Sequence, residues 1–469
     1  MAGRTLPEAP DRPEASAAAI LTLETPELGD RSYLVHDGSL AVAIDPQRDL
    51  DRILEAAGAA GVRIGLVVET HLHNDYVTGG LELARRTGSP YVIGGADLVS
   101  FDCVAARDGE RLRAGRVALR VVATPGHTEG HVAYVLEEGG RPHAVFTGGS
   151  LLYGTVGRTD LVAPACTDRL TRRQHESVRR LGSELAGDVT VHPTHGFGSF
   201  CSSTRSSGGD SSTIANERRT NPALQIDDPD RFARGLLSGL VAYPAYYHHM
   251  GLVNRAGPAP LDLSPPPRVA PEVLRDRVAG GEWVVDLRPR RAFAARHLAG
   301  TIGTELSTPF TTYLGWVLPW GMPVTLLAET EDQGRAAQRN LARIGIDRTA
   351  GLTVGAPDTL GGRTRSYPVS DFRGLADRLR SDGAAAVLDV RRDDEWTAGH
   401  LPGALHIPLP ELERRLAELP SGPIWVHCAG GYRASLAASL LDRGGLEPVL
   451  VDDEWARAEA ADLALVGGA

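Results

Sequence analysis

The sequence predicts an α/β protein of about three domains. Its length of 469 residues is sufficient for three domains of ordinary size. In the first part, short apolar strands such as residues 41–44 and 64–68 alternate with helical stretches, and each strand ends in polar residues. The last two parts resemble each other, and each alternates strands with helices, which is typical of parallel sheets.

Two proline-rich or glycine-rich stretches divide the chain. Ala256–Arg268 has the composition of an extended linker, and Gly355–Pro368 is a looser segment of glycine, arginine and serine. We therefore predict domains at residues 18–258, 268–358 and 366–469.

Composition and charge exclude several classes of function. The net charge is −10 and no basic block occurs, so nucleic acid is not an expected partner. The chain contains no lysine, which excludes Schiff-base chemistry. No apolar run reaches membrane-spanning length, the N-terminus is polar, and the four cysteines form no C-x-x-C pair. We expect a cytoplasmic protein with reduced thiols and no membrane partner.

The third predicted domain contains a cysteine at the start of a strand–loop–helix segment. An apolar strand leads into Cys428, and the loop ends at Arg433, where a helix begins. The loop backbone between them is formed by Ala429, Gly430, Gly431 and Tyr432. The glycines let backbone N–H groups converge, and the helix N-terminus and Arg433 add positive potential. This environment favours a thiolate at Cys428 with an anionic substrate beside it.

This loop resembles the C-x-x-x-x-R loop of rhodaneses, and residues 389–408 resemble the same family. The resemblance implies that Cys428 carries a sulfane sulfur and that Arg433 steadies the anion. The second domain repeats the pattern, but Ala328 stands at the cysteine position and Gln333 at the arginine position. Because alanine cannot act as a nucleophile, we predict that the rhodanese-like domain at residues 268–358 is not catalytic.

Three histidine-bearing segments in the first part indicate a metal site. His71 and His73 follow a predicted strand, His127 lies in a T-P-G-H segment, and His195 in H-P-T-H-G. Imidazole groups at strand ends are suitable ligands for zinc or iron. His71, His73 and His127 are the predicted ligands, with Asp75 or His195 as further ligands or supporting groups.

These segments resemble the metallo-β-lactamase superfamily, and more narrowly its persulfide dioxygenase branch and the fusions of that branch to rhodaneses. The resemblance implies an αββα sandwich and an Fe(II) ion held by two histidines and one aspartate, the histidines mapping to His71 and His127. The sequence departs from that pattern, because Gly149 stands where the aspartate belongs and Tyr76 replaces the last histidine of the first motif.

Three hypotheses follow. In the first, the protein oxidises or transfers the sulfane sulfur of glutathione-type or other low-molecular-weight persulfides, with sulfite and thiosulfate as further small partners, as in hydrogen sulfide detoxification. In the second, a zinc hydrolase is joined to a sulfurtransferase. In the third, the first domain binds no metal and is a scaffold, and only Cys428 is catalytic. We expect a homo-oligomer in each case.

Overall fold

A computed structural model describes residues 18–204, 209–347, 349–382 and 385–467. The chain forms two compact units. Unit 1 extends to Leu240 and includes Tyr247–Leu261, and unit 2 comprises Val241–Tyr246 and the chain from Asp262 onward. The polar N-terminal segment, which contributes to the expectation of a cytoplasmic protein, lies outside the described residues.

Among the described residues, unit 1 contains two large sheets of six strands each. The first sheet has the order β1 to β6, and its last four strands are mutually parallel. The second has the order β14-β13-β10-β9-β8-β7, and a short hairpin pairs β11 with β12. The strands are β1 (Ala19–Thr25), β2 (Asp30–His36), β3 (Leu40–Ile44), β4 (Arg63–Val68), β5 (Tyr91–Gly94), β6 (Val104–Ala106), β7 (Arg111–Ala114), β8 (Val117–Ala123), β9 (Val132–Glu138), β10 (Arg141–Gly148), β11 (Leu151–Leu152), β12 (Thr155–Val156), β13 (Thr190–Pro193) and β14 (Ser212–Thr213).

Helices cover the outer faces of both sheets. The helices of unit 1 are α1 (Asp51–Ala59), α2 (Gly80–Thr87), α3 (Thr167–Glu184), α4 (Ile214–Thr220), α5 (Pro222–Gln225), α6 (Pro229–Ser238) and α7 (Tyr247–Ala256), with a 3-10 turn at Pro164–Cys166. One apolar core lies between the sheets, where Tyr33 and Phe146 pack together. Separate cores lie beneath α1 and α2 and beneath α3 to α6. Alternate residues of each strand therefore face different layers, as an αββα sandwich requires, and the predicted architecture is confirmed.

Unit 2 contains two parallel sheets, one in each copy of the repeat. Their orders are β17-β15-β18-β19 and β21-β25-β24-β22-β23, and β16 pairs with β20 in a small separate ribbon. The strands are β15 (Trp283–Asp286), β16 (His297–Leu298), β17 (Ile302–Gly303), β18 (Val324–Ala328), β19 (Thr349–Val354), β20 (Thr364–Arg365), β21 (Val369–Ser370), β22 (Ala386–Asp389), β23 (Leu405–His406), β24 (Pro423–His427) and β25 (Glu447–Val451). Parallel sheets in both copies confirm the predicted α/β class.

The helices of unit 2 connect these strands. They are α8 (Pro271–Ala279), α9 (Arg290–Ala295), α10 (Phe310–Val317), α11 (Glu331–Arg343), α12 (Phe372–Asp382), α13 (Asp393–Ala398), α14 (Leu412–Arg415), α15 (Tyr432–Arg443) and α16 (Arg457–Ala460), with 3-10 turns at Pro357–Thr359, Leu409–Glu411 and Leu416–Glu418. Among the residues described, no helix has the length and apolar character needed to cross a membrane. The three domain boundaries themselves stay predictions.

Candidate functional site

His71 lies just beyond the C-terminal end of β4, and its ring is oriented by a buried hydrogen-bond chain. The Thr70 hydroxyl donates to Asp45 Oδ2 over 2.7 Å, so the Nδ1–H of His71 donates to Thr70 Oγ1 over 2.9 Å. Burial alone would raise the pKa of Asp45, but the charge and hydrogen bond of His73, together with hydrogen bonds from the Thr194 hydroxyl and the Thr70 backbone N–H, hold it at about 2. The Nε2 lone pair of His71 is consequently free to bind a metal.

His127 has the same arrangement. Its Nδ1 lies 2.6 Å from the carbonyl oxygen of Arg158, so Nδ1 carries the proton and donates it. Its backbone N–H donates to Oε1 of Gln174 over 2.9 Å. Nε2 is buried without a hydrogen-bond partner among the described residues, and burial lowers the pKa of the ring to about 3. An unpartnered buried imidazole nitrogen is what a metal ligand presents before the ion binds.

His195 completes a group of three. Its Nδ1 lies 2.8 Å from Asp30 Oδ1 and 3.0 Å from Asp75 Oδ2, and its Nε2 lies 3.2 Å from Nε2 of His71. Burial lowers the pKa of His195, but Asp75 and Asp30 outweigh it and raise the pKa to about 10. The donor atoms of His71, His127 and His195 all lie within 4.8 Å of one another. Nitrogens this close need a proton or a cation between them, so the group fits a metal ion.

His73 lies beside this group, with its ring centroid 4.1 Å from that of His71. Its Nε2 lies 3.1 Å from Glu69 Oε2 and 2.9 Å from the Tyr76 hydroxyl, whereas its Nδ1 is buried without a hydrogen-bond partner among the described residues. Burial lowers the pKa of His73, but neighbouring carboxylates, chiefly Asp45, raise it to about 9. The structure therefore groups His71 and His127 with His195, and it places His73 in a second group with Asp75 and His195, whose ligand atoms also lie within 4.8 Å of one another. Which of these residues bind the metal stays a prediction.

The Cys428 loop lies between β24 and α15 of unit 2. Cys428 is only 1% exposed, and Gly431 has φ +82°, in the left-handed region that glycine adopts freely. A Cβ at Gly431 would overlap Asp452 Oδ1, whereas one at Gly430 would meet nothing within 4 Å. Only one of the two loop glycines is therefore required by the fold.

Arg433 is held by a carboxylate that the loop pattern does not contain. Its guanidinium donates to both oxygens of Glu395, over 2.6 and 2.8 Å. Although burial would lower the pKa of Arg433, this pair holds it above its usual value. Burial raises the pKa of Tyr313, the Arg433 charge opposes the shift, and the Cys428 sulfur adds to it. Tyr313 and Arg433 are therefore both near the sulfur.

A pocket lies beside this loop and receives side chains from both copies of the repeat. Tyr313 and Trp316 come from α10, in the copy that lacks the cysteine, and Arg392 and Arg433 come from the copy that contains it. The remaining lining residues are mostly apolar, and the carboxylate of Asp393 also lines the pocket beside the two guanidinium groups. No sequence pattern indicated the contribution from α10, because it depends on how the two copies pack.

Comparisons with known proteins agree with both halves of this description. Residues 373–455 match the family model of the rhodanese-like domain. The chain is 34% identical over 206 residues to human "Persulfide dioxygenase ETHE1, mitochondrial", a match spanning 42% of this chain and 70% of that protein. With the mouse protein of the same name it is 31% identical over 236 residues, which cover 48% of this chain and 83% of that protein. The chain belongs to the persulfide dioxygenase family.

Two further relatives show how widely the fold is shared. A hydroxyacylglutathione hydrolase of Methylococcus capsulatus is 40% identical over 141 residues, covering 29% of this chain and 54% of that protein. A solved metallo-β-lactamase structure from Staphylococcus aureus superposes with a TM-score of 0.65 at 24% identity, covering 73% of this chain and all of that one. At 24% identity, the likeness to the metallo-β-lactamase structure establishes the fold. With a rhodanese-like domain at its C-terminal end, this persulfide dioxygenase family member is a fusion and an enzyme of sulfur metabolism.

The copy of the repeat at residues 268–358 has a different loop at the equivalent position. Ala328 is the last residue of β18 and is buried, and Gln333 lies in the first turn of α11, where its Oε1 accepts from the backbone N–H of Glu329. Glu331 and Asp332 also lie in that first turn. The loop thus carries negative charge where the Cys428 loop offers Arg433. This supports the prediction that this copy is not catalytic.

Several groups that orient the candidate ligands were not predicted from sequence. Asp30 orients His195, Gln174 and Arg158 fix His127, and Asp45 fixes His71 through Thr70. Asp45 had one signal, since it directly follows an apolar strand. Asp30 and Gln174 lie 165 and 47 positions from their partners, and no local pattern connects them.

Proposed function

We propose that the chain transfers sulfane sulfur at Cys428 and oxidises low-molecular-weight persulfides at a metal ion held in unit 1. The proposal rests on one observation: a single chain of the persulfide dioxygenase family contains both a cysteine loop and a separate group of buried histidines. The cysteine loop ends at an arginine that is held by a carboxylate. Zinc, in place of Fe(II), would support the hydrolase hypothesis. The cytoplasmic location and the homo-oligomeric state stay predictions.

Sulfur transfer at Cys428 proceeds by nucleophilic displacement. The Cys428 thiolate attacks the outer sulfur of thiosulfate, a new Sγ–S bond forms, and the S–S bond of thiosulfate breaks with its electron pair leaving on sulfite. An acceptor thiolate then attacks the outer sulfur of the cysteine persulfide, forms a low-molecular-weight persulfide and restores the Cys428 thiolate. Arg433 and the N–H groups of the loop orient the anion during both steps.

Persulfide oxidation requires four electrons and an oxidant. One persulfide, one O₂ and one water give one thiol, one sulfite and two protons when sulfite is counted as its dianion. When bound, a redox-active iron ion supplies the site at which O₂ and the persulfide sulfur meet. The residues of the chain hold that site: His71, His127 and His195 direct nitrogen lone pairs into one buried space, and Asp45 and Asp30 fix two of the rings.

Replacing one nucleophile separates the two activities. We expect Cys428→Ser to abolish transfer of sulfur from thiosulfate to cyanide and to prevent the gain of one sulfur atom in intact-protein mass. Oxygen uptake with glutathione persulfide should continue in iron-loaded protein. Cys103→Ser, in unit 1, is the matched control and should retain both activities. Sulfur transfer that survives in Cys428→Ser would refute the assignment of Cys428.

The same measurements separate the alternatives. A zinc-loaded protein that cleaves a thioester equally well without oxygen would establish the hydrolase hypothesis. Loss of every activity in Cys428→Ser would establish that unit 1 is a scaffold. A hydrolase with two metal ions usually needs a bridging carboxylate, which Gly149 does not supply, so the hydrolase alternative is a site with a single zinc ion.

A further inference from the structure

The space next to Gly149 is filled by a histidine ring. Gly149 directly follows β10, and a Cβ built on it would overlap Cδ2 of His127 and lie 2.7 Å from its Nε2. Those separations are shorter than real Cβ contacts, so a side chain at residue 149 requires the His127 ring to move. The ring of His127 therefore occupies the volume that a side chain at residue 149 would need.

The His127 ring has little freedom to move. Nδ1–H donates to the Arg158 carbonyl oxygen over 2.6 Å, and the backbone N–H donates to Gln174 over 2.9 Å. Gly149 is fixed from both sides as well. Its N–H donates to Nε2 of His131 over 3.0 Å, and its carbonyl oxygen accepts from the N–H of Gly157 over 3.0 Å. An aspartate at residue 149 would break this arrangement.

His195 supplies the third donor that the aspartate would have supplied. Its Nε2 is directed at His71 over 3.2 Å, and its ring centroid lies 5.5 Å from that of His127. The ring is held from behind by Asp30 and Asp75, at 2.8 and 3.0 Å from Nδ1. All three imidazoles therefore present Nε2 to one space, and the carboxylates lie one layer further out.

We propose that the metal centre of this protein is a three-histidine Fe(II) site formed by His71, His127 and His195, and that Gly149 is required for it. The inference rests on the proposed metal-dependent function and adds its ligand set. Three histidine ligands bring no negative charge into direct contact with the ion, whereas a carboxylate ligand would cancel half of its double charge; Asp30 and Asp75 contact only the far nitrogen of His195. The site therefore favours anionic sulfur ligands, such as a deprotonated persulfide, over neutral ones.

The test is iron binding by the full chain, measured under anaerobic conditions by elemental analysis and by the electron paramagnetic resonance spectrum of the nitric oxide adduct. We expect one tightly bound iron per chain. His195→Gln and His127→Gln should each weaken iron binding at least about tenfold and change the spectrum. His36→Gln, in the same unit but outside the site, is the matched control and should match the wild type.

Gly149→Asp gives the sharpest result. If the site merely lacked its aspartate, this substitution would restore a ligand and tighten iron binding. We expect the reverse, a loss of at least about tenfold, because the new side chain displaces His127. Gly149→Ala should also weaken binding, although it adds no ligand. Tighter binding in Gly149→Asp, with a wild-type thermal transition of the metal-free protein, would overturn the proposal.

The remaining outcomes are also decisive. If iron is lost with His73→Gln but kept with His127→Gln, the ion lies with His73 and Asp75 and the proposal is wrong. If a ligand variant does not fold, the Gly149→Asp result decides. If iron binding depends on His195 but the protein takes up no oxygen with persulfide, the ligand set is retained and the proposed oxidation is refuted. If oxygen uptake with persulfide is unaffected by His195→Gln, the proposed oxidation is retained and the ligand set is refuted.

Discussion

Glu395 holds the position of the arginine beside Cys428 and pairs with its charge. Both of its oxygens accept from Arg433, and its side chain is 19% exposed. Burial raises the pKa of Glu395, but the hydrogen bonds from Arg433 outweigh it and lower the pKa from 4.5 to about 2. A carboxylate with a lowered pKa stabilises the folded state at every pH above its unfolded-state pKa, and that contribution disappears as pH falls towards the folded-state value.

Glu395→Gln should destabilise unit 2 by about 1 to 3 kcal/mol at neutral pH, because a largely buried guanidinium loses its charged partner. The difference from the wild type should shrink as pH falls from about 4.5 to about 2, where the wild-type carboxylate itself becomes protonated. Urea unfolding followed by tryptophan fluorescence measures this in unit 2 alone, since all six tryptophans lie after residue 262. Exposed Glu413→Gln is the control, and an equal effect of the two substitutions would contradict the argument.

The sequence predicts some of the site residues and their neighbours but not others. Cys428 and Arg433 belong to one short loop, so their spacing alone placed them together. The sequence also showed that Gly149 stands where the family has an aspartate. It did not show that the His127 ring occupies that space, because His127 lies 22 positions away and Arg158 and Gln174 set the orientation of its ring.

At the scale of an element, the Cys428 loop depends on a single backbone conformation. Gly431 precedes α15 with φ +82°, and the space for a side chain is taken by Asp452. Asp452 cannot easily yield, because Arg290 and Arg291 donate to its two oxygens over 2.7 and 2.5 Å. The sequence suggested equal roles for both loop glycines, and the structure assigns the strain to one.

Gly431→Ala should destabilise unit 2 by about 1 to 3 kcal/mol and reduce sulfur transfer, because it imposes both backbone strain and a steric clash. Gly430→Ala adds the same methyl group to the same loop in open space and should leave both properties close to the wild type. Tryptophan fluorescence and the thiosulfate–cyanide assay are the measurements. Equal effects of the two substitutions would show that the loop tolerates side chains uniformly.

At the scale of the whole molecule, each unit has its own apolar cores. The alternation of strands and helices and the internal repeat were sufficient to predict this fold class. The pocket beside Cys428 was not predictable, because Tyr313 and Trp316 belong to a copy whose own loop has lost its nucleophile. Packing between the two copies brings these two side chains to the site, and the periodicity of the sequence does not indicate that packing.

Removal of metal should therefore act on unit 1 alone. A ligand that binds only the folded state stabilises it by RT ln(1 + [L]/Kd), so a strong chelator should lower the thermal transition of unit 1. Far-ultraviolet circular dichroism of the full chain would report this fall, while the tryptophan transition of unit 2 should stay unchanged. Adding Fe(II) back should restore the first transition. A chelator that shifts only the tryptophan transition would place the metal elsewhere.

One ion pair occurs in both copies of the repeat. Arg288 donates to Asp286 and to the carbonyl oxygen of Arg296, and Arg391 makes the same contacts with Asp389 and Gly399. The pair is present in the copy with Ala328 as well as in the copy with Cys428, so it supports the fold of each copy independently of catalysis. The end of the first long strand of each sheet is therefore held by the same contacts whether or not a nucleophile follows.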